Sequence, residues 1–236
     1  MTTDDAAHPF EPVAGRLHFI IFLGIVAAVT AAGFLAQQGT AAGTGHLDLL
    51  PIYVSAALLD WLLFFFCWRG VRRRGGTLRT IVGGRWPTVW HALRDLAIGA
   101  AFWGAFTGLT WWASRYLGWN DTSKIVEAIL PKTPIEIGTW FGVSLTAGFC
   151  EEFVFRGYVQ KQLRAYSGNI VLAVIGQALV FGVMHIYQGW SATLGVTAFG
   201  LTFGLLAAAC KSLRPGMMAH AWEDIWSGWL SGVLFH

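Results

Sequence analysis

Seven stretches of this chain are too long and too apolar to be hidden from water inside one small core. They run approximately Phe19–Leu35, Leu49–Trp68, Leu93–Ala113, Ile137–Phe155, Ile170–Tyr187, Ala192–Cys210 and Pro215–Phe235. A hydrocarbon layer about 30 Å thick is crossed by roughly 20 mostly apolar helical residues rising about 1.5 Å each. Charged side chains make up only 12% of the 236 residues, where a soluble domain carries about 25%. That balance excludes a soluble enzyme, a disordered chain and a disulfide scaffold. The three cysteines, Cys67, Cys150 and Cys210, have no paired spacing. The predicted fold class is therefore all-α, a polytopic integral membrane protein of about seven transmembrane helices.

The net charge of +3 reads as orientation information, so no nucleic-acid partner is expected. With the N-terminus cytoplasmic, one side of the bilayer holds 13 of the 16 Lys and Arg residues; only Arg115, Lys124 and Lys132 fall on the other. The first stretch is read as a retained helix, because only Arg16 precedes it as a basic residue and a second apolar stretch follows. Arg69–Trp90 mixes six arginines with apolar residues and tryptophans, which suits either an orientation signal or a segment lying on anionic lipid. The longest outer connection, Ser114–Glu136, is expected to form a short surface helix at Thr122–Leu130. The chain divides into a cytoplasmic tail over 1–18, N-terminal membrane helices over 19–136 and a core over 137–236. Composition and charge bias suit a prokaryotic plasma membrane.

An ionisable side chain inside a membrane helix costs several kcal/mol and needs a partner or a task. The candidates are Asp60, Glu151, Glu152, His185, His220, Glu223 and Asp224. Adjacent residues on a helix project about 100° apart, so Glu151 and Glu152 are expected to do different jobs. Glu152 and Arg156 are spaced i,i+4 in the favourable order for an ion pair. Glu151 is left without a local cation and suits general-base work on water; a structural ion cluster is the alternative. Phe181 and His185 share one helical face, and so do His220 and Asp224, with Glu223 turned away. Both histidine sites fit structural roles as readily.

If the fourth helix runs through Tyr166, turns at Ser167–Gly168 and returns from Asn169, position 151 stands level with 185 across an antiparallel hairpin. A Glu151–His185 pair holding one water is then possible. The same count is less favourable to His220, which lies about six residues from its helix start while Glu151 lies about 17 from the turn, a difference of roughly 15 Å. A hairpin protruding into the cytoplasm removes that conflict.

The order EExxxR, FxxxH and HxxxN/D on successive apolar segments, with Phe-Arg-Gly at 155–157, resembles the CAAX prenyl protease and bacteriocin-processing family, the CPBP or Abi glutamic intramembrane proteases. The matching helices cover about 40% of the chain. The resemblance implies an active site among helices four to seven, with Glu151 and His185 activating the hydrolytic water. It implies that His220 and Asp224 bind the oxyanion and that Glu152 and Arg156 shape the site, with Phe181 as a supporting residue. It implies no cofactor and no metal. Its substrates would be membrane-anchored peptides or protein tails presented from the lipid bilayer, whether lipidated C-termini or apolar sorting tails and leader peptides. Where the family's prenyl-protease members carry Asn, this chain has Asp224, which donates a hydrogen bond only when protonated. Either it is protonated, or it orients His220 instead.

Zinc is the chemical rival, since these four side chains are acceptable ligands, but HExxH is absent. No Gly-x-Ser-Gly supports serine catalysis. Cys150 beside two carboxylates is expected to be a packed residue, and Asp60 to bond a neighbouring helix. The alternative of a different class is a non-proteolytic bacteriocin-immunity or scaffold protein of the same family. A proton-coupled transporter is a third reading, but no inverted repeat supports it.

Overall fold

The computed structural model describes residues 11–40, 48–118 and 124–234. Among them the regular elements are all helical: α1 (Arg16–Thr40), α2 (Leu49–Arg73), α3 (Leu78–Val82), α4 (Val89–Leu117), α5 (Lys124–Ile129), α6 (Pro134–Glu151), a π-helix (Glu152–Val159), α7 (Gln160–Ser167), α8 (Ile170–Met184), a 3₁₀ turn (Ile186–Gln188), α9 (Trp190–Cys210) and α10 (Arg214–Leu234). Five of the expected apolar stretches lie on single helices, with Phe235 outside the described residues; Ile137–Phe155 crosses from α6 into the π-helix, and Ile170–Tyr187 runs from α8 into the 3₁₀ turn. Three helices are long and apolar enough to cross a membrane on those grounds alone: Arg16–Gln37, Leu49–Arg73 and Trp190–Cys210. Helix α8 is apolar but shorter than such a span. The expected surface helix is present as α5, with Thr122 outside the described residues.

Local chemistry sets the ends of the helices that matter. Thr133 and Glu136 form a capping box, with Pro134 in the first turn, and so start α6. Gly168 takes the left-handed conformation (φ 66°), and Asn169 then accepts from the amides of Val171 and Leu172 to start α8. The turn expected at Ser167–Gly168 is therefore the observed one. Phe155 meets Phe181 with ring centroids 4.7 Å apart, and Leu163 meets Gly176. That register places 151 level with 185, as the count across the hairpin requires.

Side-chain contacts give the helix directions. Helices α2 and α6 are parallel, with Tyr53 against Trp140 and Phe64 against Phe153. Helix α10 runs antiparallel to the α6 rod: the Trp140 indole donates to the Asp224 carbonyl, Gly148 abuts Ala221 and Gly157 abuts Leu213. Helices α4 and α10 are parallel, Gly99 lying against Pro215 and Thr107 donating to Glu223. Helix α1 is antiparallel to the π-helix and α7, through Ala14 with Gln162 and His18 with Tyr158. These contacts give the alternation of a polytopic membrane bundle.

Since α10 starts opposite Gly157, the α7–α8 hairpin runs on for roughly 15 Å past it, the protrusion that the His220 count demanded. The basic stretch before α4 is only partly helical and is docked on protein. Ile81 is buried, the Leu213 amide donates to the Val82 carbonyl, and the Lys161 ammonium donates to the Ile81 carbonyl at 2.8 Å. Burial pushes Lys161, on the protruding hairpin, down to about 8 from 10.5. Between those values the unfolded chain binds more protons than the folded one, so stability rises with pH across the window. Thermal unfolding in detergent should show wild type gaining on Lys161→Met between pH 8 and pH 10.

Candidate functional site

The site is built where the α6 rod changes its winding. Helix α6 stays α-helical through Glu151, and from Glu152 the backbone switches to π geometry, the Gln160 amide bonding the Phe155 carbonyl five residues back. The EExxxR motif straddles this switch. All eight π residues are buried. Glu152 and Arg156 form the expected i,i+4 ion pair at 2.9 Å, with both side chains fully enclosed. The Arg156 guanidinium lies over three rings, 4.7 Å from the Phe181 centroid, 5.6 Å from Phe203 and 5.8 Å from Phe199. A desolvated cation gains from such ring faces.

His220 on α10 stands at the centre. Its Nδ1 lies 3.0 Å from Glu152 Oε1, and since a carboxylate there accepts, this nitrogen carries the proton. Its Nε2 faces Glu151 Oε2 at 3.6 Å and Asp224 Oδ2 at 3.7 Å. The two glutamates therefore grip opposite nitrogens of one imidazole. Their directions diverge, as adjacent helical positions require, and a ring with nitrogens on two edges spans the divergence. Phe199 closes one face of His220 at 4.7 Å. The side chains open progressively from Glu152 at 0% exposure through Glu151 at 13% to Asp224 at 31%.

Helix α10 comes this close because position 148 has no side chain. A Cβ there would lie 2.8 Å from Ala221 Cβ, the Ala221 nitrogen and the Met217 oxygen. Two of those atoms are backbone, so relief requires the helices to part. We expect Gly148→Ala to lower stability by about 1–3 kcal/mol and to draw His220 away from both glutamates. Detergent melting together with cysteine cross-linking across α6–α10 would measure both effects.

His185 ends α8, and its Nδ1 donates to the Phe181 carbonyl at 2.8 Å, which leaves Nε2 as the acceptor of the neutral ring. Its ring packs on Phe181 at 4.8 Å and lies within electrostatic reach of His220 and Arg156. Among the described residues, the nearest imidazole partner of Glu151 is thus His220. Glu223 is turned away, as expected, and is held by Thr107 at 2.7 Å. Cys150 is completely buried. Among the described residues, no group of three His, Cys, Asp or Glu side chains is arranged to hold a metal ion.

Two residues at the site were not assigned to it from sequence. Asp60 on α2 is buried and lies within electrostatic reach of Glu151, His220 and Asp224. Tyr187, packed against Gly33 of α1, reaches Glu151 and Asp60 in the same way. Both sit on apolar stretches and carried the same signal as the recognised residues: a polar group at membrane depth.

Four carboxylates, two imidazoles and one guanidinium enclosed between packed helices define a membrane protein with a buried acid–imidazole centre. Residues 133–226, which hold all of these groups except Asp60, match the family described as Type II CAAX prenyl endopeptidase Rce1-like. Comparisons with curated proteins and with solved structures gave no significant match.

Proposed function

We propose that the protein is a glutamic-type intramembrane endopeptidase that hydrolyses peptide bonds of membrane-presented peptides or protein C-terminal tails. The observation that carries this reading is His220 held between Glu152 on one nitrogen and Glu151 with Asp224 on the other, in a core that matches the Rce1-like family. A water bound between Glu151 and His185 attacks the scissile carbonyl as Glu151 takes its proton. The oxygen of the tetrahedral intermediate is stabilised by His220, whose orientation Glu152 and Arg156 fix, and by Asp224 when that group is protonated. Collapse expels the amine, which receives the proton held by Glu151, and water has been added across the peptide bond.

An apolar groove of about 550 Å³ between α1 and α8 supports a substrate delivered from the bilayer. Leu23, Val26, Phe34, Leu179 and Val183 line it, and it reaches Ile186, next to His185. The N-terminus on the cytoplasmic side of a prokaryotic plasma membrane belongs to the same reading and rests on the 13-to-3 distribution of basic residues.

The test is incubation of the purified protein with membrane-anchored peptides, with and without a chelator. Chelator-resistant cleavage that disappears in Glu151→Gln supports the reading. Cleavage lost to the chelator replaces it with zinc chemistry. A phenotype retained by Glu151→Gln replaces it with the scaffold or immunity role.

A further inference from the structure

Seven arginines lie between positions 69 and 94, and no Asp or Glu lies between Asp60 and Asp95. The proposed hydrolysis uses none of these arginines. Asp95, the acid that ends the run, is already engaged. It is 1% exposed, accepts from Arg94 and from the Trp86 indole at 2.8 Å each, and faces Arg214 at 3.6 Å. Arg73, Arg74, Arg79 and Arg85 are exposed, and among the described residues none of the four forms an ion pair.

Membrane orientation requires only that such charges sit in a connection. Here the connection is also fastened down. The Leu213 amide and the Ser212 hydroxyl both donate to the Val82 carbonyl, at 2.9 and 3.2 Å. Arg214 donates to the Gly84 carbonyl and lies over the Trp86 ring, 4.6 Å from its centroid. Residues 77–88 thus form a strap tied to the start of α10. Although the strap is held to the protein, Trp86 is 44% exposed, Val89 72% and Trp90 76%, all within five residues of Arg85. Indole rings favour the boundary between hydrocarbon and headgroups, which is the depth of lipid phosphates. A guanidinium presents a planar fork of donors that matches a phosphate.

We propose that the segment from Arg73 to Trp90 is a binding surface for the headgroups of anionic phospholipids. Arg73, Arg74, Arg79 and Arg85 supply the phosphate-binding forks, and Trp86 and Trp90 are the interfacial anchors. The occupant is a lipid because the exposed indoles and Val89 gain hydrocarbon only at a bilayer. It is anionic because the four guanidiniums have no carboxylate within the described fold. Bound headgroups brace the strap and, through Val82, Gly84 and Trp86, the first turn of α10. The inference holds for whichever leaflet this face meets and does not depend on the protease reading.

The experiment places full-length protein in nanodiscs with spin-labelled phosphatidylglycerol or phosphatidylcholine and measures the motionally restricted fraction of each. Wild type should hold the anionic lipid about threefold in preference to the zwitterionic one. The preference should fall toward equality in roughly 1 M salt, where the screening length is about 3 Å. It should also vanish when Arg73, Arg74, Arg79 and Arg85 are all replaced by Gln, and persist in Arg115→Gln, a substitution at the far end of α4. Wild type should melt several degrees higher with phosphatidylglycerol present, and the fourfold variant should not. If the fourfold variant does not fold, Arg79→Gln with Arg85→Gln replaces it and should remove about half of the preference. Equal holding of the two lipids by wild type overturns the proposal, and so does a preference that survives the substitutions. Loss of the preference in Arg115→Gln as well overturns the assignment to this strap. If the lipids are held equally while soluble polyglutamate binds wild type and not the variant, the surface belongs to a protein partner and the proposal fails.

Discussion

Glu151→Gln is expected to reduce cleavage by roughly 10²–10⁴-fold, the usual contribution of a general base, while the protein stays in the membrane at its normal level. Glutamine keeps the volume and the hydrogen-bonding reach of the side chain but cannot take a proton from water. Among the described residues Glu151 makes no short hydrogen bond on which packing depends; its nearest partner there, His220 Nε2, is 3.6 Å away, and His220 keeps its anchor on Glu152. The loss should therefore fall on kcat, with KM for a membrane-anchored peptide nearly unchanged. Single-turnover cleavage and a melting curve on the same preparation check both halves. A variant that melts early would show instead that Glu151 serves the fold.

Arg156→Met is the corresponding substitution for stability and should cost about 3–5 kcal/mol, as expected when one partner of a buried ion pair is removed and the other charge stays enclosed. Methionine fills a similar volume, so little of the loss comes from a cavity. What remains is Glu152, fully buried and 2.9 Å from where the guanidinium was, with the His220 nitrogen at 3.0 Å as its other partner. Three ring faces would also lose the cation they enclose. Chemical unfolding in mixed micelles should show a lower midpoint. Arg156→Met combined with Glu152→Gln should recover part of the difference, because the stranded charge is then gone. Equal midpoints for the single and double variants would mean that packing, and not charge, sets the cost.

The sequence made the apolar stretches legible because length and hydropathy are local properties, and it made the Glu152–Arg156 pair legible because i,i+4 geometry lies within one helix. The α7–α8 turn was readable from Gly168 and Asn169, whose conformational and capping preferences act over a few residues. The grip of both glutamates on His220 was not, because it depends on α10 approaching α6, and that approach depends on Gly148, which looks like any other glycine of a membrane helix. The π-helix was hidden as well: nothing in the run 152–159 marks a change of winding, and all eight of its residues are buried among the packed helices. Asp60 was read as a tie between helices because α2 precedes the recognised motifs by some 90 residues; only the register with α6 brings it to their level.

The widened coil at Glu152–Val159 also constrains how such a chain can change over time. A π segment accommodates one residue more than an α-helix does in the same rise. Loss of a single residue there would let the rod relax to ordinary winding with its two ends in nearly the same register. The same loss within α6 would turn everything downstream by about 100°, so that Tyr158 would leave His18 and Gln162 would leave the Ala14 backbone it clasps. The widened stretch is therefore where the rod can change its length while the acid–imidazole centre and the first helix stay coupled.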